Sequence, residues 1–152
     1  LKGLTELDMS NTTITGSTED LKILKGLTVL GMSNTAITGS TEHLKILKGL
    51  KQLAMSNTAI TGSTEDLQSL KGLTKLFMSY TAITGSTEDF KGLEELMVLD
   101  MDNSTITGTR LAYICILLRV FASDPAGNRT PGGGAVEQHA IKTPTPPVAC
   151  DL

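Results

Sequence analysis

The sequence predicts an α/β solenoid with a parallel β-sheet on its concave face and short helices or helical turns on the convex side. Three observations carry this. The string LKGLTELDMSNTTITGSTEDLKI at 1–23 returns in close copies at 24–46, 47–69 and 70–92, and a partly degenerate fifth copy starts at Leu93, giving a period of 23 residues without insertions. A strict period of this length places every unit in an equivalent position along a stack. Each copy opens on alternating polar and apolar residues and closes on a helix-start pattern. Finally, the 152 residues include no Trp, two Tyr and three Phe, so aliphatic packing repeated from unit to unit has to hold the chain together.

Within the first unit, Glu6-Leu7-Asp8-Met9-Ser10 alternates, the period-two signal of a short strand with one buried face. Leu7 and Met9 point inward, and Glu6, Asp8 and Ser10 face solvent. Equivalent strands stacked in one chain direction form a parallel sheet with neighbours about 4.8 Å apart. Gly16 permits a turn with positive φ. Ser17 then caps the segment Thr18-Glu19-Asp20-Leu21-Lys22, with Asp20 placed three residues after the cap as in a capping box. Acids in the first turn and Lys25 in the last complement the helix dipole, and Gly26 is expected to stop the helix. Leu21 and Leu24 share its inward face. The anchors Leu4, Leu7, Met9 and Ile14 keep their spacing through every copy, down to Leu96, Leu99, Met101 and Ile106. One unit alone buries too little to offset the ordering of its backbone, so the interfaces between neighbours must stabilise the array.

The pattern Leu4-x-x-Leu7-x-Met9-x-x-Thr12-x-Ile14 resembles the leucine-rich-repeat signature LxxLxLxxNxL, with Thr in the Asn place and Met in one Leu place. The resemblance covers about 1–108, and the end of each unit, as in Ile37-Thr38-Gly39-Ser40 followed by Leu44, is similar to the LTGxIPxxL of plant-type receptor repeats and to the NTxITG repeats of protist proteins. It implies a curved solenoid with a parallel concave sheet and protein recognition as the commonest role. In that family a buried Asn serves loop backbone groups in a ladder from repeat to repeat. By the resemblance, Thr12, Thr35, Thr58, Thr81 and Ser104 or Thr105 take over that structural task with a hydroxyl.

Comparison of the copies separates residues that the stack requires from those it leaves free. Two outward strand positions vary most: Glu6, Val29, Gln52, Lys75, Val98, and Asp8, Gly31, Ala54, Phe77, Asp100. Phe77 and Tyr80 are expected to form an aromatic pair there beside Lys75 and Val98, and exposed aromatics are common anchors of binding surfaces. The candidate concave-face residues are therefore Glu6, Asp8, Val29, Gln52, Lys75, Phe77, Tyr80, Val98 and Asp100. Ser10, Ser33, Ser56 and Ser79, Asn11, Asn34 and Asn57, and Thr15, Thr38, Thr61 and Thr84 form ranks of identical polar groups.

No catalytic constellation is present. Glu19 and Asp20 recur as helix-start acids, which suits the dipole better than acid–base chemistry. His43 stands in a place where other copies have Asp, without a second ligand, so no metal site is expected. Gly132–Gly134 lack the Lys-Ser/Thr of a phosphate loop. The net charge of −3 argues against nucleic acid as a partner. No cofactor is implied. The function expected is a non-catalytic module that binds a protein or peptide on its concave sheet. Two alternatives stand beside it: the ligand-sensing piece of a larger receptor of kinase or cyclase type, and a structural surface protein whose ranks meet glycans or ice.

Residues 1–108 thus read as a solenoid of five 23-residue repeats. Leu1 begins in mid-pattern without an initiating Met, which predicts a fragment with Leu4, Leu7 and Ile14 exposed along an edge. Residues 109–122 read as a C-terminal cap, and the apolar run Leu111–Leu118 is eight residues, too short to cross a bilayer. Residues 123–152 read as a disordered Pro/Gly-rich tail, with a gene-model artefact as the other explanation of their composition. Asn11, Asn103 and Asn128 lie in glycosylation triplets, which bear on the chain only if it is secreted.

Overall fold

A computed structural model describes residues 3–108 of the chain. The predicted cap at 109–122, the predicted tail at 123–152 and the triplet at Asn128 lie outside the described residues.

Alternation produces the strands β1 (Glu6–Asp8), β3 (Val29–Gly31), β5 (Gln52–Ala54), β7 (Lys75–Phe77) and β9 (Val98–Asp100), which pair in parallel in that order. Register follows the sequence period: Glu6, Val29, Gln52, Lys75 and Val98 stand side by side, as do Asp8, Gly31, Ala54, Phe77 and Asp100. Leu30, Leu53, Leu76 and Leu99 alternate with them and are buried. Together with Met32, Met55, Met78, Ile37, Ile60 and Ile83 they build one continuous aliphatic spine. Phe90 takes a Leu place and is fully buried within it.

A second parallel sheet forms where the sequence predicts only a turn. It consists of β2 (Thr15–Ser17), β4 (Ala36–Ser40), β6 (Ala59–Ser63) and β8 (Ala82–Thr84), with Ser86 bridging to Thr107. Its cause lies in Ala36-Ile37-Thr38, a short alternation with Ile37 buried and both neighbours exposed. Pairing here joins Thr15 to Ala36 and Thr38 to Ala59, whereas the first sheet joins equivalent residues of successive repeats.

The convex side carries 3₁₀ helices at Thr18–Ile23, Thr41–Ile46 and Thr87–Phe90 and the four-residue helix α1 (Thr64–Leu67). Ser17 caps the first with its side chain accepting from the Glu19 N–H, and Asp20 completes the expected capping box. Its end differs from expectation. The C-cap is Leu24, whose N–H donates to the Leu21 carbonyl, and the basic residue of the last turn is Lys22, not Lys25. Gly26 is not a left-handed stop. A side chain there would stand 3.5 Å from the Leu4 carbonyl oxygen, and one at Gly49 would stand 3.2 Å from that of Leu27, so these glycines let adjacent repeats approach.

The threonines in the signature Asn place also act differently from expectation. Thr12, Thr35, Thr58 and Thr81 donate to the Met9, Met32, Met55 and Met78 carbonyls of their own repeats. Other residues link one repeat to the next. Thr18, Thr41 and Thr64 are fully buried, and their Oγ1 atoms accept from the N–H groups of Ser40, Ser63 and Ser86 in the following repeat. Thr41 also donates to Asp66, Thr64 donates to Asp89, and His43 Nδ1 stands in the equivalent place, 3.0 Å from Thr18 Oγ1.

Candidate binding surface

The concave sheet presents three outward rows, because residues two apart on a strand share a face. Along the middle row two small residues lie between an acid and an aromatic, and a second acid closes it: Asp8, Gly31, Ala54, Phe77 and Asp100. Glu6 and Asp8 are exposed, while Val29, Gln52, Ala54, Lys75, Phe77, Val98 and Asp100 are half-buried. The row nearest the strand ends holds Ser10, Ser33, Ser56, Ser79 and then Asp102.

Asp8 does not stand upright. Its Oδ1 accepts from the Ser10 N–H at 2.9 Å and occupies the space that a side chain on residue 31 would need, which Gly31 leaves open. The Ser10 backbone N–H, assisted by the Ser10 side chain, holds the Asp8 carboxyl below the usual aspartate range, since hydrogen bonds to the ionised form favour it. Asp100 leans the opposite way: its Oδ1 accepts from the hydroxyl of Ser79 in the preceding repeat and from the Asp102 N–H at 3.4 Å. The two carboxylates thus tilt toward each other over a row whose floor is Gly31 and Ala54 and whose bulk is Phe77. Comparison of the copies marks Gly31 and Ala54 as variable without placing them in the site. The sign that could have found them is a pair of small residues between an acid and an aromatic in register.

Lys75 lies between Gln52 and Val98 and takes no part in the ion pairs of the described residues, which join Lys22 to Glu19, Lys45 to Glu42 and Lys91 to Glu88. Tyr80 is the remaining aromatic candidate on this side. It stands past the end of β7, in the left-handed turn with φ 55°, where Asn11, Asn34, Asn57 and Asn103 occupy the equivalent places. The residue is 63% exposed and lies three positions past Phe77, beyond the end of the strand that carries it.

The regular ranks serve the stack. Asn34 Nδ2 donates to Asn11 Oδ1 and Asn57 Nδ2 to Asn34 Oδ1, at 2.8 and 2.9 Å. Ser33 and Ser56 hydroxyls accept the N–H groups of Ser56 and Ser79. Thr38, Thr61 and Thr84 donate to the carbonyls of Gly16, Gly39 and Gly62. Much of their hydrogen-bonding capacity is thus spent between repeats. Among the described residues no group of three or more His, Cys, Asp or Glu is placed to hold a metal ion, and no helix is long and apolar enough to cross a membrane.

The sequence matches no protein-family model and no curated protein. Solved structures do match. The Arabidopsis receptor kinase HAESA, in complex with the peptide hormone IDA and the co-receptor SERK1, is 26% identical with a TM-score of 0.66 over 77% of this chain and 20% of its own. An internalin, InlF of Listeria monocytogenes, is 27% identical with a TM-score of 0.61 over 76% of this chain and 33% of its own. The leucine-rich-repeat ectodomain of the receptor kinase SOBIR1 from Arabidopsis thaliana is 23% identical with a TM-score of 0.61 over 68% of this chain and 59% of its own. The chain therefore spans a fifth to about three fifths of these proteins' lengths.

Proposed function

Since the chain is a leucine-rich-repeat solenoid, we propose that it is a non-catalytic ligand-binding module that takes a protein or peptide on its concave sheet. One observation carries the reading. Turn and rim positions are filled by ladders that bind repeat to repeat, whereas two of the three outward rows of the concave sheet, those of Glu6 and of Asp8, change residue type at nearly every step and take no part in the spine. Variation in side-chain size and charge at the solvent-facing strand positions of otherwise closely matching units is what recognition needs, because large or charged side chains there leave the core undisturbed. HAESA in complex with a peptide hormone supports a peptide as the ligand class.

A role as the sensing piece of a larger receptor draws on a second observation: HAESA and SOBIR1 are receptor kinases, and the chain spans less than two thirds of either. Both readings use the same face. The test is selection of peptides from a displayed library on the purified chain, followed by binding to variants carrying Phe77→Ala and Lys75→Ala on the concave face or Glu19→Gln and Lys22→Ala on the convex face. Loss of binding with the first pair alone supports the concave site. Ligands insensitive to the first pair and lost with the second overturn it.

A further inference from the structure

We propose that the concave sheet takes an extended peptide, running along the solenoid axis, with the pattern basic-x-apolar-x-basic; this rests on the concave reading above and specifies its ligand. Four observations lead to it.

The first is charge. The three outward rows, positions 6, 8 and 10 of each unit, carry Glu6, Asp8, Asp100 and Asp102 against Lys75. The charges of the middle row are both acids, one toward each end, and Lys75 lies to the side of it. The second is the tilt of those acids. Asp8 leans forward over Gly31, and Asp100 leans back toward Ser79. Both are held through Oδ1, which leaves Oδ2 to a ligand or to water. The third is relief: between the carboxylates, Gly31 and Ala54 leave a shallow trough that ends at the flank of Phe77, itself only half-buried. An apolar side chain laid on Ala54 against that ring removes both from water.

The fourth is length. From Gly31, where the Asp8 carboxylate lies, to the gap between Phe77 and Asp100, into which the Asp100 carboxylate leans, is between two and three strand spacings, roughly 10–14 Å at ~4.8 Å each, and three to four residues of an extended peptide span about the same distance at ~3.4 Å each. Residues i, i+2 and i+4 of such a peptide share a face. When residue i meets Asp8 over Gly31 and residue i+4 meets Asp100, residue i+2 falls between Ala54 and Phe77. Basic ends and an apolar middle are therefore in register with acid, apolar floor and acid. Because the acids are solvent-accessible, their share of the affinity is screened by salt, and the apolar contact is not.

The experiment uses fluorescein-labelled acetyl-Arg-Gly-Leu-Gly-Arg-amide and its counterpart with Glu in both Arg places, titrated with the full chain and read by fluorescence anisotropy at low and high salt. The Arg peptide is expected to bind at least about tenfold more tightly than the Glu peptide at low salt. Asp8→Asn and Asp100→Asn each weaken it about three- to fivefold, as exposed charge pairs do, and Phe77→Ala about tenfold or more. Glu19→Gln, on the convex side, leaves it unchanged. Circular dichroism of each variant establishes that the sheet persists. Equal or tighter binding of the Glu peptide overturns the proposal, as does an Arg peptide indifferent to Asp8→Asn, Asp100→Asn and Phe77→Ala. Failure of the Arg peptide to bind overturns it as well; if a library-selected ligand of another pattern is then lost on Phe77→Ala, the concave reading still stands. Selected ligands that map to the convex face remove both.

Discussion

Among the described non-glycine residues with positive φ, four are Asn and the fifth is Tyr80. Asn enters the left-handed region at little cost because its short polar side chain bonds locally, whereas a bulky side chain there costs about 1–2 kcal/mol. Tyr80 also interrupts the amide ladder, which runs Asn11, Asn34, Asn57 and then stops. Tyr80→Asn is expected to raise stability by about 1–2 kcal/mol, from relieved backbone strain and one renewed hydrogen bond. Urea denaturation checks this through a higher midpoint at unchanged slope. At this scale the sequence is legible wherever alternation governs: Leu30, Leu53 and Leu76 inward, Asp8, Lys75 and Phe77 outward. It is silent about Thr18, Thr41 and Thr64. A threonine that is identical in every copy looks the same on a solvated helix start as in a buried bond to the next repeat, and only the neighbour's Ser N–H tells the two apart. Nor does any pattern reveal that Asp8 lies down over Gly31, since that depends on a glycine 23 residues away.

Elements are where expectation and structure part most. The helical segments are legible from Ser17 and Asp20, because a capping box is a local arrangement. Their ends are not, because Gly26 answers to the approach of another repeat and not to its own helix. The second sheet is hidden by Gly16 and its equivalents, which read as turn residues although they sit within or beside strands. Gly62 shows why glycine is needed there. Its φ is +116°, and a Cβ would overlap Thr41 Oγ1 and lie 2.9 Å from the Thr41 backbone nitrogen. Neither obstacle can swing away, since Thr41 is fully buried and held by Ser63 and Asp66. Gly62→Ala is therefore expected to destabilise by about 2–4 kcal/mol, combining backbone strain with damage to a buried hydrogen bond. Thermal unfolding measures it, and Gly3→Ala, which meets nothing within 4 Å, is the control. A Gly62→Ala melting point equal to the control's would show that this junction is looser than its geometry.

Over the whole molecule, every junction repeats the same few contacts, so stability is close to a sum of nearest-neighbour terms. Ile14, without a described repeat before it, is 43% exposed, while Ile37, Ile60 and Ile83 are buried. Deletion of residues 47–69, one full period, joins Ile46 to Leu70 and removes one coil and one junction. Phe90 then takes the place beside Leu44 that Leu67 holds in the full array, and Thr41 faces Asp89 as Thr64 otherwise does. The shortened chain is expected to keep its parallel-sheet circular dichroism and to melt at lower temperature. Deleting half a period instead is expected to abolish cooperative melting, because it sets polar positions against the spine. Equal melting curves for the two deletions would contradict a stack held by register.

Sameness of the junctions also governs how such a chain can change over generations. Because Ser40, Ser63 and Ser86 give the same bond to the threonine of the preceding unit, an additional copy can be spliced in without new chemistry at either seam. Each gain lengthens the recognition ribbon by one tooth of roughly 4.8 Å, or about one and a half residues of an extended guest, so the array acts as a ruler whose markings can be rewritten one by one while its rails stay fixed.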